Sequence, residues 1–403
     1  MAAPFTSRRC ALAELRVLDL TRVLAGPFCT MILGDMGAEV VKVEQPGRGD
    51  DTRAWGPPFQ GAESAYFLSV NRNKRGVTLN LKEPRGQEIL RTLIKKSDVV
   101  IENFKSGTMD AWGCGRDFME KDAPRVIHCT ISGYGSSGPK ATLPGYDFLL
   151  QAESGLMSIT GEQNGDPMKL GVAIVDLCTG LYATIAILGA LNARNHGSPG
   201  QHVEVSLYTT SLALLANVAS NVLISGNPAG RYGNGHPNIV PYRIYRCLDA
   251  DMALAVGNDL QFARFAGAVG HSEWVTDARF ARNRDRVENR ALLDGIIKTT
   301  LASKTTDEWI EILLAAEVPC SRINTVTEAL SASQTAATGM VIELEHATAG
   351  VFRSLGIPMI FSSTPTAVRR PPPALGEHTD AVLAELAGLG PNEIRNLRTA
   401  GIV

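Results

Sequence analysis

Apolar and polar positions along this chain follow two spacings in turn. Residues 15–20 form a short apolar run at the length of a buried strand. Residues 27–37 follow at helical length, with Pro27 in the first turn and Gly37 at the end. Residues 38–44 read as a second strand. Strand, helix and strand within about 30 residues is the spacing of a βαβ unit. The pattern then repeats. The spacing predicts strands at 77–81, 98–102, 126–132 and 201–207, and helices at 84–96 and 181–193. Alternation of this kind predicts an α/β fold, a Rossmann-like large domain with a mostly parallel sheet. Ligands in such sheets bind beyond the carboxyl ends of the strands. The loops at 21–26, 45–61, 102–107 and 132–146 therefore share one candidate rim.

The pattern changes near Asn221. We expect residues 1–224 to form the first part of the large domain and 225–242, rich in Gly, Pro and Asn, to be a linker. Residues 243–330 carry two short strands (242–247, 252–256) and charged helices at 284–303 and 307–316, a smaller α+β domain. Residues 331–403 are a return linker and the C-terminal part of the large domain, with a hairpin around Ala349-Gly350 and helices at 379–387 and 392–399.

Charge and cysteine content narrow the chemistry. A net charge of −2 provides no basic field for nucleic acid. The seven cysteines lie far apart, with no CxxC pair and no Cys/His cluster, so neither a metal site nor a disulfide framework is expected. A reducing compartment fits: the cytoplasm, or the mitochondrial matrix in a eukaryote. Residues 1–14 carry Arg8 and Arg9 but no apolar signal region. No membrane span is expected, because the apolar run 181–193 falls short of ~18 residues and ends at Arg194. Dinucleotide, P-loop and nucleophile-elbow motifs are absent.

Asp176 is the most informative residue. It is one carboxylate between two apolar segments, in Gly171-Val172-Ala173-Ile174-Val175-Asp176-Leu177-Cys178-Thr179-Gly180. It reads either as an N-cap of the following helix or as a chemical group. The two are compatible, since a helix N-terminus favours the ionised form. An ionised, partly desolvated carboxylate is a nucleophile toward an activated acyl group. Asn71-Arg72-Asn73-Lys74-Arg75 is either a solvated turn or a phosphate clamp. Phe104 either stacks on a heteroaromatic base or belongs to the core. Arg53, in the Gly/Pro-framed loop 49–59, either grips a carboxylate or pairs with Asp50 or Asp51.

Seven segments in register resemble the class III CoA-transferases, the CaiB/BaiF type. They are residues 18–27 (Leu-Asp-Leu-Thr-Arg-Val-Leu-Ala-Gly-Pro), 37–44, Asn73-Lys74-Arg75, 98–104 ending in Glu102-Asn103-Phe104, Gly133-Tyr134-Gly135, Pro144-Gly145-Tyr146-Asp147 and Asp176-Leu177-Cys178-Thr179-Gly180. The loop 49–59, residues 66–75 and Arg370-Pro371-Pro372-Pro373 resemble the branch that moves CoA from succinyl-CoA to glutarate. The resemblance implies Asp176 as nucleophile, forming an aspartyl-CoA thioester, and two chains interlocked as a homodimer. It implies CoA contacts at Val23, Ala25, Lys74, Arg75, Asn103, Phe104 and Tyr134. A dicarboxylate would be held by Arg53, Arg22 or Tyr146. A lid with oxyanion-binding N–H groups would fall at Gly257 and Asn258. Coenzyme A enters as substrate, with no tightly bound cofactor and no metal. Leu24 and Gln45 stand where the oxalate-using branch has Gln and Arg, which argues against oxalate as acceptor. One alternative is an α-methylacyl-CoA racemase, in which Tyr146 would replace a histidine proton carrier. The other is a non-catalytic acyl-CoA binding protein.

Overall fold

The computed structural model describes residues 10–403. The stretch with Arg8 and Arg9 lies outside the described residues. In chain order the first elements are β1 (Arg16–Asp19), α1 (Ala25–Asp35), β2 (Glu39–Glu44), β3 (Lys74–Thr78), α2 (Pro84–Lys95), β4 (Val99–Glu102), β5 (Ile127–Ser132), α3 (Asp147–Glu153), α4 (Ile174–Asn195) and β6 (His202–Ser206). The six strands form one sheet in the order β3-β2-β1-β4-β5-β6, parallel throughout. The chain builds leftward from β1 to β3, then restarts on the other side at β4. The loops after β1 and β4 therefore diverge and leave a crevice at the switch point.

Strands covered on both faces are apolar on both faces. Leu18, Val41, Val77 and Val100 are buried in one core with Leu90 and Ile94 of α2. Two more helices, at Thr379–Ala387 and Pro391–Thr399, close this core with Val382, Leu383, Ile394 and Leu397. Three ions break the apolar rule in β1, β2 and the edge strand β3: Asp19, Lys42 and Lys74 are fully buried. β3 begins at Lys74, three residues before the expected strand, because Lys74 has a buried partner in Asp19. The cation cluster is thus not a solvated turn.

The chain divides into two compact units. The first takes the chain up to Ser154, Leu170–Leu214 and Ser333–Val403; the second takes Gly155–Lys169 and Leu215–Ala332. Residues 155–169 and 215–224, grouped above with the large domain, thus fall in the second unit. Within it, strands at Tyr242–Arg246, Asp251–Ala255 and Cys320–Arg322 form an antiparallel sheet with the middle one at its centre. Met252, Leu254, Phe262, Phe265, Leu293, Ile297 and Trp309 fill its core. The single helix expected at 284–303 is two, Asn283–Glu288 and Arg290–Leu301, broken where Asn289 leaves helical geometry (ψ 24°).

α4 starts at Ile174, seven residues before the expected helix, and runs for 22 residues. It is long and apolar enough to cross a membrane by length and composition alone, with a mean hydropathy of 1.9 over an 18-residue window. The shorter count missed this because residues 174–180 were read as a separate segment. In the fold, α4 packs along α1. A Cβ added to Gly180 would lie 2.6 Å from the Ala25 carbonyl oxygen, so only glycine permits the approach. One turn on, the Cys29 thiol meets the Thr184 hydroxyl. Ala25 with Gly180 and Cys29 with Thr184 share one offset, so the two helices run parallel. Projected back one turn, Asp176 lies level with the Thr21–Leu24 loop ahead of α1.

Gly180→Ala tests this contact. Alanine adds up to ~1 kcal/mol of helix propensity. Overpacking against a backbone carbonyl costs ~1–3 kcal/mol. We expect a lower thermal midpoint for Gly180→Ala. Gly189→Ala in the same helix, with nothing within 4 Å, should raise it. Equal shifts in the two variants would refute the close approach.

Candidate active site

A cavity of about 810 Å³ opens at the switch point. Arg22, Val23, Leu24 and Ala25 line it from the loop after β1, and Asn103, Phe104 and Lys105 from the loop after β4. Gly133, Gly145 and Tyr146 contribute further along, and Asp176 lines it from α4. Loops after strands at a switch point are where diverging backbone leaves room. The same divergence explains why these residues meet although 150 positions separate them.

Asp176 sits in the first turn of α4 but does not cap it. The N-cap is Ala173, which offers no side-chain acceptor. Asp147 takes that role from α3. Its Oδ1 accepts the N–H groups of Val175 at 2.8 Å and Asp176 at 3.2 Å. Gln151 steadies the other oxygen, donating from Nε2 to Oδ2 at 2.6 Å. The Gln151 side-chain oxygen Oε1 in turn accepts the Leu170 N–H at 2.9 Å. The Asp176 carboxylate itself receives no hydrogen bond from any described residue. Burial, then the neighbouring Asp147 charge, push its carboxyl up to about 7. The expectation of a firmly ionised carboxylate therefore needs correction. Desolvation outweighs the helix dipole here because Asp147, not Asp176, occupies the capping position. A second consequence falls on Tyr66. Burial, then the Asp176 and Asp147 charges, raise its phenol to about 12.

The expected CoA contacts divide. Val23, Ala25, Asn103 and Phe104 line the cavity. Phe104 packs against the main core and lines the cavity as well. It is half-buried, edge-on to Trp112 at 5.1 Å, with its N–H on Glu102. Lys74 cannot serve as a phosphate clamp. An ammonium has three donors, and its three go to Asp19, the Pro27 carbonyl and Asn71 at 2.9–3.1 Å. Arg75 faces away, paired with Glu39 and Glu385. Tyr134 lies beside Tyr208, with Lys140 over its ring, and is not among the lining residues.

The carboxylate-binding candidates also divide. Arg22 and Tyr146 line the cavity. Arg22 keeps a solvent-exposed guanidinium 3.6 Å from Asp51. Arg53 is committed elsewhere. It grips Glu44 bidentately, both bonds at 2.8 Å, and stacks over Phe67 at 3.7 Å. It neither pairs with Asp50 nor lines the cavity. In the second unit, the Gly257 N–H donates to Gln261 Oε1 at 2.7 Å, and Asn258 caps the helix Asp259–Ala268. The Gly257 N–H is therefore occupied. Among the described residues no group of His, Cys, Asp or Glu has metal-binding geometry. All seven cysteines are free.

Sequence reasoning missed the polar floor of the cavity. On β5 and β6, His128, Thr130 and Ser132 pair in register with His202, Glu204 and Ser206. Glu102 joins from β4 and accepts from Thr130 at 2.9 Å. Burial pushes Glu102 up to about 7 and pulls His128 down to about 4. The strict alternation His-Cys-Thr-Ile-Ser was the available signal, because a period of two puts one kind of residue on one face. Lys105 and Arg116 on the rim were missed too.

Known proteins can now be set beside this geometry. Succinyl-CoA:glutarate CoA-transferase of Mus musculus is 41% identical over 392 residues, covering 97% of this chain and 90% of that protein. Succinate--glutarate CoA-transferase of Agrobacterium fabrum is 42% identical, covering 94% of this chain and 96% of its own length. The crystal structure of a CaiB/BaiF family protein from Brucella suis superposes with a TM-score of 0.81 at 40% identity, over 94% of this chain and all of that one. The family model described as CoA-transferase family III matches residues 12–379. A desolvated carboxylate in a nucleotide-sized crevice is thus joined to ancestry, and the chain belongs to the family III CoA-transferases.

Proposed function

We propose that this protein moves CoA from succinyl-CoA to a free short dicarboxylate, glutarate foremost, through an aspartyl-CoA thioester on Asp176. The observation that carries the reading is a half-buried, desolvated carboxylate that receives no hydrogen bond from any described residue and lines a cavity of about 810 Å³. The named activity of the Mus musculus relative supports the choice of acids.

Direct exchange between a carboxylate and a thioester would leave a free anhydride exposed to water. An enzyme carboxylate divides the exchange into easier steps. Asp176 attacks the thioester carbonyl; the C–S bond breaks and CoA thiolate leaves. The thiolate attacks the aspartyl carbonyl of the mixed anhydride and expels succinate. The acceptor carboxylate then attacks the aspartyl thioester, and the released thiolate attacks the acceptor's acyl carbon. Asp176 regains its negative charge as the new acyl-CoA departs. Oxyanions form at each addition and call for fixed N–H donors. The N–H groups of Leu24 and Ala25 find no acceptor among the described residues, and both residues line the same cavity as Asp176. With the Gly257 N–H occupied, the loop entering α1 is the better source of these donors.

For the distal carboxylate we assign Arg22, with Tyr146 as neighbour, in place of Arg53. Val23, Ala25, Asn103 and Phe104 are assigned to the CoA chain, and Lys105 and Arg116 to its phosphates. We further propose an interlocked homodimer. Leu181, Tyr182 and Ile185 leave an apolar face of α4 exposed, which suits a second copy better than water. Light scattering should read twice 43.1 kDa. Seven free cysteines suit a reducing compartment, the cytoplasm or the mitochondrial matrix.

Initial-rate lines for succinyl-CoA against glutarate should be parallel, as ping-pong exchange demands. Intersecting lines would reject the covalent route. Arg22→Ala should raise the KM for glutarate about 10-fold or more with kcat nearly kept. Arg53→Ala should mainly lower thermal stability, because Glu44 is left buried without its partner.

The raised Asp176 carboxyl has a sign for activity and another for stability. Only the anion attacks, so the rate should climb with pH through about 7. Asp147→Asn keeps the Oδ1 acceptor but deletes the neighbouring charge, and should move that climb to lower pH. The folded protein holds its Asp176 proton up to about 7, against an ordinary carboxyl value of 3.8. Stability from this group is therefore complete below the unfolded value and is lost as pH rises through about 7. Asp176→Asn should abolish exchange yet raise the melting temperature, more at pH 8 than at pH 5. The upper bound on the gain is roughly 4 kcal/mol. A variant less stable than the parent at pH 8 would contradict the desolvated anion.

A further inference from the structure

Two buried ions and one strained residue lie under the loop that faces Asp176, and the transfer steps above use none of them. Val23 has a backbone φ of 71°. A β-branched residue in the left-handed region is a true outlier. The surrounding bonds show what holds it. Asp50, its side chain without solvent exposure, accepts the Val23 N–H at 3.2 Å through Oδ1 and 3.3 Å through Oδ2. Asp50 is itself fixed by Thr52, from N–H at 3.0 Å and Oγ1 at 2.8 Å. Lys42 donates to Asp50 Oδ2 at 3.0 Å and to the Thr21 carbonyl at 2.9 Å. One ion pair thus grips the loop on both sides of Arg22. Asn103 locks Arg22 between them, accepting its N–H at 3.0 Å and donating to its carbonyl at 2.8 Å. The loop then folds back so tightly that a Cβ on Gly26 would lie 2.3 Å from Thr21 Cβ.

We propose that the Lys42–Asp50 pair is a positioning device for CoA transfer: by holding Val23 left-handed, it turns the free N–H groups of Leu24 and Ala25 toward the cavity beside Asp176. The inference rests on the proposed function and names the parts that set its geometry. Burial alone would neutralise these groups. Mutual attraction outweighs it, keeping Asp50 below the usual carboxylate range and Lys42 above the usual amine range. The pair therefore remains two full charges, whose hydrogen bonds to the loop are stronger and more directional than neutral ones. Backbone strain held in place by surrounding bonds clusters at functional sites, and this strained residue lines the cavity.

Two Val23 variants separate conformation from side-chain contact. Glycine adopts the left-handed region freely and keeps the N–H. Proline is locked near φ −65° and has none. Both lose the valine side chain, so any change in KM for succinyl-CoA from that contact is shared. We expect Val23→Gly to raise the KM for succinyl-CoA, since the valine contact with CoA is lost, and to lower kcat far less than Val23→Pro does. Val23→Pro should lose roughly 100-fold in kcat, the scale of an ångström misplacement at a reacting centre. Equal kcat in the two variants, whether kept or lost, overturns the proposal. Should Val23→Pro fail to fold, the double variant Lys42→Met/Asp50→Leu, which removes the acceptor of the Val23 N–H as well as the ion pair, decides. Removing both members of a buried pair is often neutral for stability, so it should melt near the parent and lose kcat with KM nearly unchanged. Retained kcat, or a failure of this variant to fold as well, assigns the pair to the fold alone and overturns the proposal. Absence of CoA exchange in the parent protein would instead reject the proposed function.

Discussion

The close approach of α1 and α4, made possible by the missing side chain of Gly180, is the constraint on which the site depends. Two parallel helices at that distance must keep their register, because Ala25 and Cys29 sit against Gly180 and Thr184. Everything at the N-terminal ends follows. The first turn of α4 carries Asp176, and the loop feeding α1 carries the free N–H groups. Both ends open where the strand order reverses, so backbone divergence makes a cavity where the two helix N-termini converge.

Around this point the molecule treats its carboxylates in opposite ways. Burial alone pushes the Asp19 carboxyl up, but Lys74 and Lys42 outweigh it and hold it well below the usual range. Asp50 is held down against burial by Lys42 and Thr52. These anions are permanent and inert, with their oxygens occupied. Asp176 receives burial without a cation, and its nearest charged neighbour, Asp147, is of like sign. In the proposed mechanism its anion is the one whose charge is relieved by forming a bond to carbon. Desolvation of this kind costs stability and supplies reactivity, a trade common at active sites.

Much of the fold was legible because strand and helix periods differ, and because Pro and Gly mark element ends. β1, β2, β4 and β5 fall within one or two residues of their expected bounds. β3 did not, since Lys74 and Arg75 looked too polar for a strand; their partners Asp19 and Glu39 lie on distant segments. α4 was cut short for a related reason. Asp176 reads as a boundary, while its helix is capped by Asp147, 29 positions earlier. Asp176, Arg22 and the loop after β4 were visible as chemistry-bearing residues. Arg53 was misread because the nearest acids in sequence were Asp50 and Asp51, whereas the fold supplies Glu44 across the sheet edge. Local sequence reports which groups exist; long-range pairing decides which remain free.

The central claim is that Asp176 carries CoA covalently during each cycle. The direct measurement is intact mass after rapid quenching of the protein mixed with succinyl-CoA alone, followed by hydroxylamine and peptide mapping. The account predicts a CoA-sized adduct that hydroxylamine converts to a hydroxamate at residue 176. Full exchange activity with no adduct at that residue, or with an adduct on another side chain, would contradict it.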